Sequence, residues 1–378
     1  MSVRPLTEYC TLNMGQSPDS KTYNTQGNGL PFYQGNADFG ETHPITRVWC
    51  SAPVKVAEEG DILISVRAPI GAMNMAVERC CIGRGLAALT PIRNKCSKQF
   101  LYYALQSKVD SLIAQGTGST FKAISKKVLE ATCIPAYSTI EQEQIAETIG
   151  HVDNTIAAKR KQLALLDQLV KSRFIELFGD PQRNPHGYKH TKLSDIATYY
   201  NGLTYKPENV AAEGTIVLRS SNIQNSQLDF ADTVRVDCAI KERLMVQKND
   251  ILMCSRNGSA KLVGKVALIK DIQEPMSFGA FMMIIRSHYF GYLMMYFQMD
   301  AFRQQIKTGA TTTINQITGR MLDDVTIPLP PMALVDQFAT FVEQTDKSKY
   351  YSSLSFRYCQ AAANTYRQEW MTCRTSDF

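Results

Sequence analysis

Arginine stands at the end of two similar stretches of the chain, where its chemistry suits the recognition of guanine. The stretches read GDILISVR at 60–67 and NDILMCSR at 249–256, so Arg67 and Arg256 occupy matching positions. A guanidinium group can donate two parallel hydrogen bonds to the O6 and N7 atoms of guanine in the major groove. The same arginines could instead form ion pairs inside the protein with Asp61 and Asp250, which recur with them. The sequence leaves both interpretations open.

Other polar side chains are of the types that contact DNA. Asn and Gln suit the edge of adenine, whereas Arg, Lys, Ser and Thr suit phosphates. The candidates in the first half of the chain are Gln34, Asn36, Arg67, Arg84 and Lys122. Those in the second half are Arg219, Ser221, Asn222, Arg256, Asn257, Thr312 and Asn315. An Asn that follows a strand is more often a turn residue, so each of these contacts is a hypothesis.

The motifs that would make the chain an enzyme are missing. Residues 329–332 read LPPM and lack the leading Asp or Asn of the loop that holds a flipped base in adenine methyltransferases. The stretch from Gly258 to Lys265 fails the spacing of a phosphate-binding loop, and no E-x-K triplet of the kind found in many nucleases occurs. His186 and His190 lie in a segment rich in Pro and Gly, where no helix would align them on a metal. We therefore expect no catalytic residue, no metal site and no cofactor on this chain.

The sequence contains an internal repeat: two copies of one unit of about 190 residues follow each other. The copies match in order throughout, and small drifts in their offset are what loop insertions produce. Matches late in the unit are Gly116 with Gly309, Thr120 with Thr313, Ile124 with Ile317, and Gln144 with Gln337. Two copies of a whole domain predict pseudo-twofold symmetry, with two similar surfaces on one chain.

Each copy begins with a mixed α+β domain. Short apolar runs after an Asp, at 62–66 and 251–253, predict strands, and the runs 100–106 and 292–298 predict short helices. The methionines of these segments and the Tyr102–Tyr103 pair are interpreted as core packing.

A long helix is predicted after the first domain, over 139–178, which contains no Pro. Positions spaced alternately four and three apart are mostly apolar, as in a helix that packs against another helix. These seam positions include Ile145, Ile149, Val152, Ile156, Leu163, Leu166, Val170 and Leu177. Ser138 with Glu141 supplies capping chemistry, and Gly179-Asp180-Pro181 ends the helix.

The second copy repeats this seam with a polar interruption. Its apolar positions include Phe338, Val342, Phe356, Cys359, Ala363, Tyr366 and Trp370. Thr345, Lys349 and Ser352 interrupt them. Because a globular domain between the helices must return the chain, we expect the two helices to pair as an antiparallel coiled coil.

Composition and charge bound the class of protein. The 378 residues are 44% hydrophobic and 20% charged, which is typical of folded domains. The net charge of +6 permits an anionic partner without demonstrating one. Ten cysteines without a C-x-x-C pair predict buried free thiols. No apolar run could span a bilayer and no signal segment is visible, so we expect a cytoplasmic protein.

The chain resembles the specificity subunits of type I restriction–modification systems. The resemblance rests on combined segments rather than on one motif, and it covers nearly the whole chain. These segments are MGQSP (14–18), LPFYQGNADFG (30–40), GDILISVRAPIG (60–71), CIGRGLAAL (81–89), IEQEQIA (140–146), FGDPQRNPHG (178–187), KLSDIA (192–197), NDILM (249–253) and TIPLPP (326–331).

The resemblance implies target-recognition domains at 1–138 and 180–331, a central spacer helix at 139–179, and a distal spacer helix and tail at 332–378. Each recognition domain would read one half of a bipartite, asymmetric site in double-stranded DNA. The helices would set the gap and dock two methyltransferase subunits, and restriction subunits would join them. S-adenosylmethionine, ATP and Mg would bind those partners. After Lys347 the sequence departs from the family pattern, which predicts a frayed or altered distal helix.

Two other functions remain as alternatives. One is a stand-alone DNA methyltransferase or nuclease, against which the missing motifs argue. The other is a scaffold that joins proteins without reading DNA, which the small net charge allows.

Overall fold

The computed structural model describes residues 2–118, 122–307 and 315–371. The chain forms two compact units: unit 1 comprises Met1–Lys161 with Ser353–Phe378, and unit 2 comprises Gln162–Ser352. Each unit contains one α+β domain and one segment of each of two long helices.

Unit 1 carries eleven short strands and three short helices within its described residues. The strands are β1 (Val3–Pro5), β2 (Cys10–Met14), β3 (Tyr23–Asn24), β4 (Leu30–Tyr33), β5 (Trp49–Cys50), β6 (Val56–Ala57), β7 (Ile62–Ser65), β8 (Met73–Met75), β9 (Cys80–Ile82), β10 (Leu86–Pro91) and β11 (Cys133–Pro135). The helices are α1 (Lys98–Gln106), α2 (Val109–Ala114) and α3 (Lys126–Ala131), and the long helix α4 (Thr139–Phe178) follows.

Unit 2 repeats this order with extra short strands. Its strands are β12 (His190–Lys192), β13 (Thr198–Asn201), β14 (Val210–Ala211), β15 (Thr215–Leu218), β16 (Ile223–Gln224), β17 (Gln227–Leu228), β18 (Arg235–Val236), β19 (Ile251–Cys254), β20 (Val266–Leu268), β21 (Met276–Phe278), β22 (Met282–Arg286) and β23 (Thr326–Pro328). Its helices are α5 (Phe290–Tyr296), α6 (Asp300–Lys307) and α7 (Gly319–Asp323), and the long helix α8 (Met332–Met371) follows.

The same sheet topology occurs in both units. Unit 1 has a four-stranded sheet of order β2-β10-β7-β8, and unit 2 has one of order β13-β22-β19-β20. A first and a last strand pair in each unit, β1 with β11 and β12 with β23. Each unit has a further sheet, of order β3-β5-β4-β9-β6 in unit 1 and β14-β18-β15-β21 in unit 2. In each of these sheets one pair of strands is parallel, β4 with β9 and β15 with β21. The predicted duplication is thus a duplication of fold.

The central strands β7 and β19 are mostly apolar because both of their faces are buried. Alternate residues of β7 enter different cores: Ile62 and Ile64 belong to one and Leu63 to the other. In β19, Ile251 and Met253 face one core while Leu252 faces another. The apolar runs seen in the sequence therefore form strands, as predicted, and the structure shows that these strands are buried on both sides.

The two long helices run antiparallel within each unit. In unit 1, Arg367 of α8 bonds to Asp153 of α4, and the guanidinium of Arg160 lies 5.5 Å from the ring centroid of Phe356. Residue numbers thus rise along one helix as they fall along the other.

Unit 2 continues this antiparallel pattern. Lys349 Nζ lies 2.6 Å from Asp167 Oδ1, and the Arg173 guanidinium lies 5.8 Å from the Phe341 ring centroid. The ring centroids of Phe174 and Phe338 are 5.6 Å apart, and this contact anchors the pair in the unit 2 core.

Most of the predicted seam residues lie on the inward sides of these helices, but Tyr366 is exposed. Ile149, Ile156, Val170 and Ala363 are buried. Half-buried members are Val152, Leu163, Leu166, Val342 and Phe356. The Ser138–Glu141 cap forms as predicted, with Glu141 Oε2 accepting hydrogen bonds from the Ser138 amide and hydroxyl.

The expectation of a frayed distal helix is wrong. Helix α8 continues unbroken to Met371. Its polar interruption is accommodated in three ways: the Thr345 hydroxyl donates to the Phe341 carbonyl, Lys349 pairs with Asp167, and Ser352 is small enough to be buried. The polar residues of the seam therefore form polar contacts in place of apolar packing, and the helix continues through them.

Candidate DNA-reading surface

Three loops of unit 1 are joined by backbone hydrogen bonds at one edge of its sheets. The Gly83 amide donates to the Tyr33 carbonyl at 2.8 Å, and the Gly85 amide donates to Gln34 at 3.2 Å. The Val66 amide donates in turn to the Gly85 carbonyl at 2.9 Å. The loops after β4, β7 and β9 are therefore held side by side.

The corresponding loops of unit 2 are joined in the same way. The Gly279 amide donates to the Leu218 carbonyl at 2.9 Å, and the Ser255 amide donates to the Phe281 carbonyl at 3.0 Å. A fourth segment joins each set, since the amides of Ile124 and Ile317 donate to Val66 and Ser255, respectively. We call the surface formed by these four loops in each unit the loop edge.

A glycine in each unit makes this arrangement possible. A Cβ atom on Gly15 would lie 2.2 Å from the Gly83 carbonyl oxygen, and one on Gly202 would lie 2.2 Å from the Gly279 oxygen. Any side chain at either position would push the loops apart. The loop after the first strand of each four-stranded sheet, β2 or β13, is thereby packed directly against the loop edge.

The loop edge of unit 1 carries four of its predicted DNA-binding residues with their side chains exposed. These are Gln34, Arg67, Arg84 and Lys122, while Asn36 is half-buried beside them. The Ala68 amide donates to the Lys122 carbonyl at 3.1 Å, which places the Arg67 and Lys122 loops in contact. The structure thus brings together residues that are almost 90 positions apart in the sequence.

The alternative of an ion pair between the repeated arginine and aspartate is wrong for unit 2. Asp250 pairs with Arg286, with Arg286 Nε 2.8 Å from Asp250 Oδ1, so it is not the partner of Arg256. In unit 1, Asp61 accepts a hydrogen bond from the Glu58 amide, and Arg67 forms no ion pair with any described residue. Burial raises the pKa of both aspartates, and the hydrogen bond from Arg286 opposes the rise at Asp250. Both are structural residues at the starts of their strands.

The loop edge of unit 2 encloses a cleft of about 380 Å³. Four predicted DNA-binding residues line it: Arg219, Ser221, Arg256 and Asn257. Asn315 adjoins the cleft, because its carbonyl accepts the Asn257 amide at 3.3 Å. Thr312 lies outside the described residues.

Asn222 does not share in this exposure. Its side chain is fully buried; Oδ1 accepts the Arg219 amide at 2.8 Å, and Nδ2 donates to the carbonyls of Asp229 and Asp232, each at 2.8 Å. Every hydrogen-bonding group of the amide is occupied inside the protein. We therefore correct the assignment: Asn222 is a turn-forming residue that shapes the loop, and it has no free group for DNA.

Two side chains hold the arginines of the cleft. Arg219 Nη2 lies 2.7 Å from Asp232 Oδ2, while Arg219 Nε is buried without a hydrogen-bond partner among the described residues. The Arg256 guanidinium lies 5.5 Å from the ring centroid of Phe281. The two cations therefore start from defined positions, which lowers the entropic cost of binding an anion or a base.

Sequence reasoning missed Asp232, Phe281 and Tyr205, which also belong to this neighbourhood. Phe281 could have been found, since Gly279-Ala280-Phe281 matches Gly83-Arg84-Gly85 when the two copies are aligned. Tyr205 lies in the loop after β13, and the matching loop after β2 carries Pro18 at that position, so the repeat offered no signal for an aromatic residue there. Asp232 lies between β17 and β18, outside the segments that the repeat matched.

No described group of three or more His, Cys, Asp or Glu side chains could hold a metal ion. Likewise, none of the described helices is apolar over a stretch long enough to cross a bilayer. The loop edge offers cations, amides and hydroxyls, which suit a polyanion read through hydrogen bonds.

A match to a family model shows which protein family the chain belongs to. The model, described as the type I restriction modification DNA specificity domain, matches residues 1–168 and 185–350, one copy in each half. The chain belongs to this family. Membership supports a role in DNA specificity rather than in catalysis.

Individual relatives of the specificity family match different shares of the chain. The MjaX type I restriction enzyme specificity subunit of Methanocaldococcus jannaschii is 41% identical over 43% of this chain. The EcoKI specificity subunit of Escherichia coli is 29% identical over 44% of this chain. These alignments span only 39% and 38% of the relatives' own lengths. The MjaIX specificity subunit of M. jannaschii is 22% identical over 87% of this chain and 83% of its own length.

The whole fold has a counterpart among solved structures. The crystal structure of the type I restriction–modification S subunit from M. genitalium covers 99% of this chain and 96% of its own, with a TM-score of 0.62 and 15% identity. At this identity the likeness establishes the fold alone. It agrees with the predicted class of two α+β domains with long helices.

Proposed function

We propose that this chain is the DNA sequence-recognition subunit of a type I restriction–modification complex, and that each unit reads one half of a bipartite, asymmetric site. The observation that carries the proposal is the loop edge. The same backbone hydrogen bonds hold the same loops in both units, yet the side chains they present differ. One scaffold with two different sets of reading residues suits a site with two different halves.

Within each loop edge the residues divide by chemistry. Arg67 and Arg256 each lie two residues after the end of a matching strand and are exposed, so they are the best candidates for guanine contacts. Gln34 and Asn257 have amides suited to adenine. Arg84, Lys122, Ser221 and Asn315 suit phosphates, which fix the register on the duplex without reading its sequence.

The long helices carry the second part of the proposal. Antiparallel helices of 40 residues each would set the unspecified gap between the two half-sites. Their outer faces would dock two methyltransferase subunits, which restriction subunits would join. S-adenosylmethionine, ATP and Mg would bind to those partners, and the complex would act in the cytoplasm.

Methylation mapping tests the proposal directly. Cells that carry this chain with its neighbouring methyltransferase subunit would be compared by long-read sequencing with cells that lack the chain. The expected result is a new adenine mark on a split, asymmetric motif. A matched strain carrying both Arg67→Ala and Arg256→Ala should lose that mark while still producing the protein.

The alternatives predict other results. A stand-alone methyltransferase would transfer labelled methyl groups from S-adenosylmethionine without any partner. A scaffold that does not read DNA would bind every duplex equally, and it would co-purify with the methyltransferase subunit without producing a sequence-specific mark. Either result would overturn the proposal.

A further inference from the structure

An exposed aromatic ring lines the cleft of unit 2. Phe281 is 59% exposed and lines the same cavity as Arg219 and Asn257. Exposing a Phe costs free energy that burial would recover. Leu203, Tyr205 and Met282 line the same cleft but leave most of the ring open to solvent. The exposed ring beside Arg219 and Arg256 suits a partner that has both anionic and apolar groups.

The backbone of Phe281 is fixed, so the ring stays at this place in the cleft. Its carbonyl accepts two amides, from Ser255 at 3.0 Å and from Arg256 at 3.1 Å. The Met282 amide donates to the Gly279 carbonyl at 2.8 Å and closes a tight turn around it. The Arg256 guanidinium lies against the ring.

The matching turn of unit 1 presents a different surface. There Gly85 takes the place of Phe281, and its carbonyl accepts the Val66 amide in the same way. A Cβ atom on Gly85 would lie 2.4 Å from the Gln34 carbonyl oxygen, so no side chain fits. Unit 1 offers instead the exposed cation Arg84, at the position of Ala280.

We infer that Phe281 is a specificity-determining residue that contacts the 5-methyl group of a thymine in the half-site read by unit 2. The inference rests on the proposed function and names a base contact within it. The thymine methyl is the one apolar group that a base presents in the major groove, and it is the recognised partner of apolar side chains there. Arg256, lying against the same ring, places this thymine beside the base that the arginine reads. Unit 1 has glycine, Gly85, at the matching position and therefore has no side chain there to contact a thymine methyl group.

Removal of single methyl groups from the DNA tests this contact. The probe is a duplex with the mapped target, in which each thymine in turn is replaced by deoxyuridine. Binding is measured for the chain in complex with its methyltransferase subunit. One thymine in the half-site of unit 2 should lose about fourfold in affinity on replacement, the value of one buried methyl group. Replacements in the half-site of unit 1 should show no loss that depends on residue 281.

Variants of Phe281 separate the contact from a structural role. Phe281→Ala should bind the thymine duplex about fourfold more weakly, and it should no longer distinguish thymine from deoxyuridine at that position. Phe281→Leu keeps an apolar side chain and should keep the discrimination, although it lacks the ring that lies beside Arg256.

The outcomes distinguish this inference from the proposed function. If the target is bound specifically and no deoxyuridine effect depends on Phe281, the inference fails and the proposed function stands. A half-site for unit 2 without any thymine would also overturn it. If no duplex is bound specifically, the proposed function itself fails.

Discussion

Arg286 holds Asp250 through two hydrogen bonds, Nε to Oδ1 at 2.8 Å and Nη2 to Oδ2 at 3.1 Å. In unit 1 the residue at the position of Arg286 is Thr90, a neutral side chain that opposes the rise in the pKa of Asp61. The buried aspartates at this matching position, Asp61 and Asp250, thus have different partners in the two units. This difference predicts different responses to the same substitution.

Asp250→Asn should destabilise unit 2 by about 3 kcal/mol, because it leaves the guanidinium of Arg286 without its carboxylate. Asp61→Asn should change the free energy of unfolding by no more than about 1 kcal/mol, since a neutral amide can still accept the Glu58 amide hydrogen bond. Urea denaturation of the two variants at neutral pH compares them. Equal losses would contradict the ion-pair argument.

Arg67→Ala should weaken binding through one half-site, and Arg256→Ala through the other. Each should cost about 1–3 kcal/mol of binding free energy and relax the preference at one base pair. Binding to duplexes with one scrambled half-site measures each contribution. Arg79→Ala is the control for charge, because Arg79 is also an exposed arginine but precedes β9 and pairs with Glu58, whereas the loop edge follows that strand. If Arg79→Ala had the same effect, the loss would reflect net charge only.

Asn222→Ala should lower both stability and DNA affinity although the residue touches no DNA. It leaves the carbonyls of Asp229 and Asp232 without their donor, at a cost of about 1–3 kcal/mol. Ser221→Ala, one residue away and exposed, should leave the free energy of unfolding unchanged. Thermal unfolding followed by duplex titration tests the pair. Unchanged stability in Asn222→Ala would contradict the turn-forming role.

Thiol labelling should follow burial. Burial raises the pKa of Cys10, Cys80 and Cys96 to about 12, so almost no thiolate is present in the folded protein at pH 8. Cys133 is exposed. Iodoacetamide should therefore modify Cys133 before these three thiols, which should react only after unfolding in urea. Mass spectrometry of digests locates the label, and labelling of Cys80 before Cys133 would contradict the buried position of β9.

The features predicted best from the sequence are those that recur in both copies or that follow a regular apolar spacing. The strands β7 and β19 and the helices α4 and α8 followed from apolar spacing, because burial on two faces or along one seam leaves a regular pattern. The repeat located Arg67 with Arg256 without any knowledge of contacts.

The sequence could not reveal partners that are distant in the chain. Asp250 was weighed as a partner for Arg256, and only the pairing of β19 with β22 brings Arg286 to it. Asn222 has the side chain that suits adenine, but its amide donates to the carbonyls of Asp229 and Asp232, seven and ten positions away. The polar interruption of α8 suggested a frayed or altered helix, because Asp167, the partner of Lys349, lies 182 residues earlier.

The division of the chain has a consequence for the order in which the protein is completed during synthesis. Unit 2 is one continuous segment, 162–352, whereas unit 1 takes its last helical segment from residues beyond 352. The domain made first must therefore wait on the ribosome, with one side of α4 uncovered, until the domain made second is already finished. Nascent unit 1 is thus the part of the protein that depends longest on protection from proteases and from aggregation.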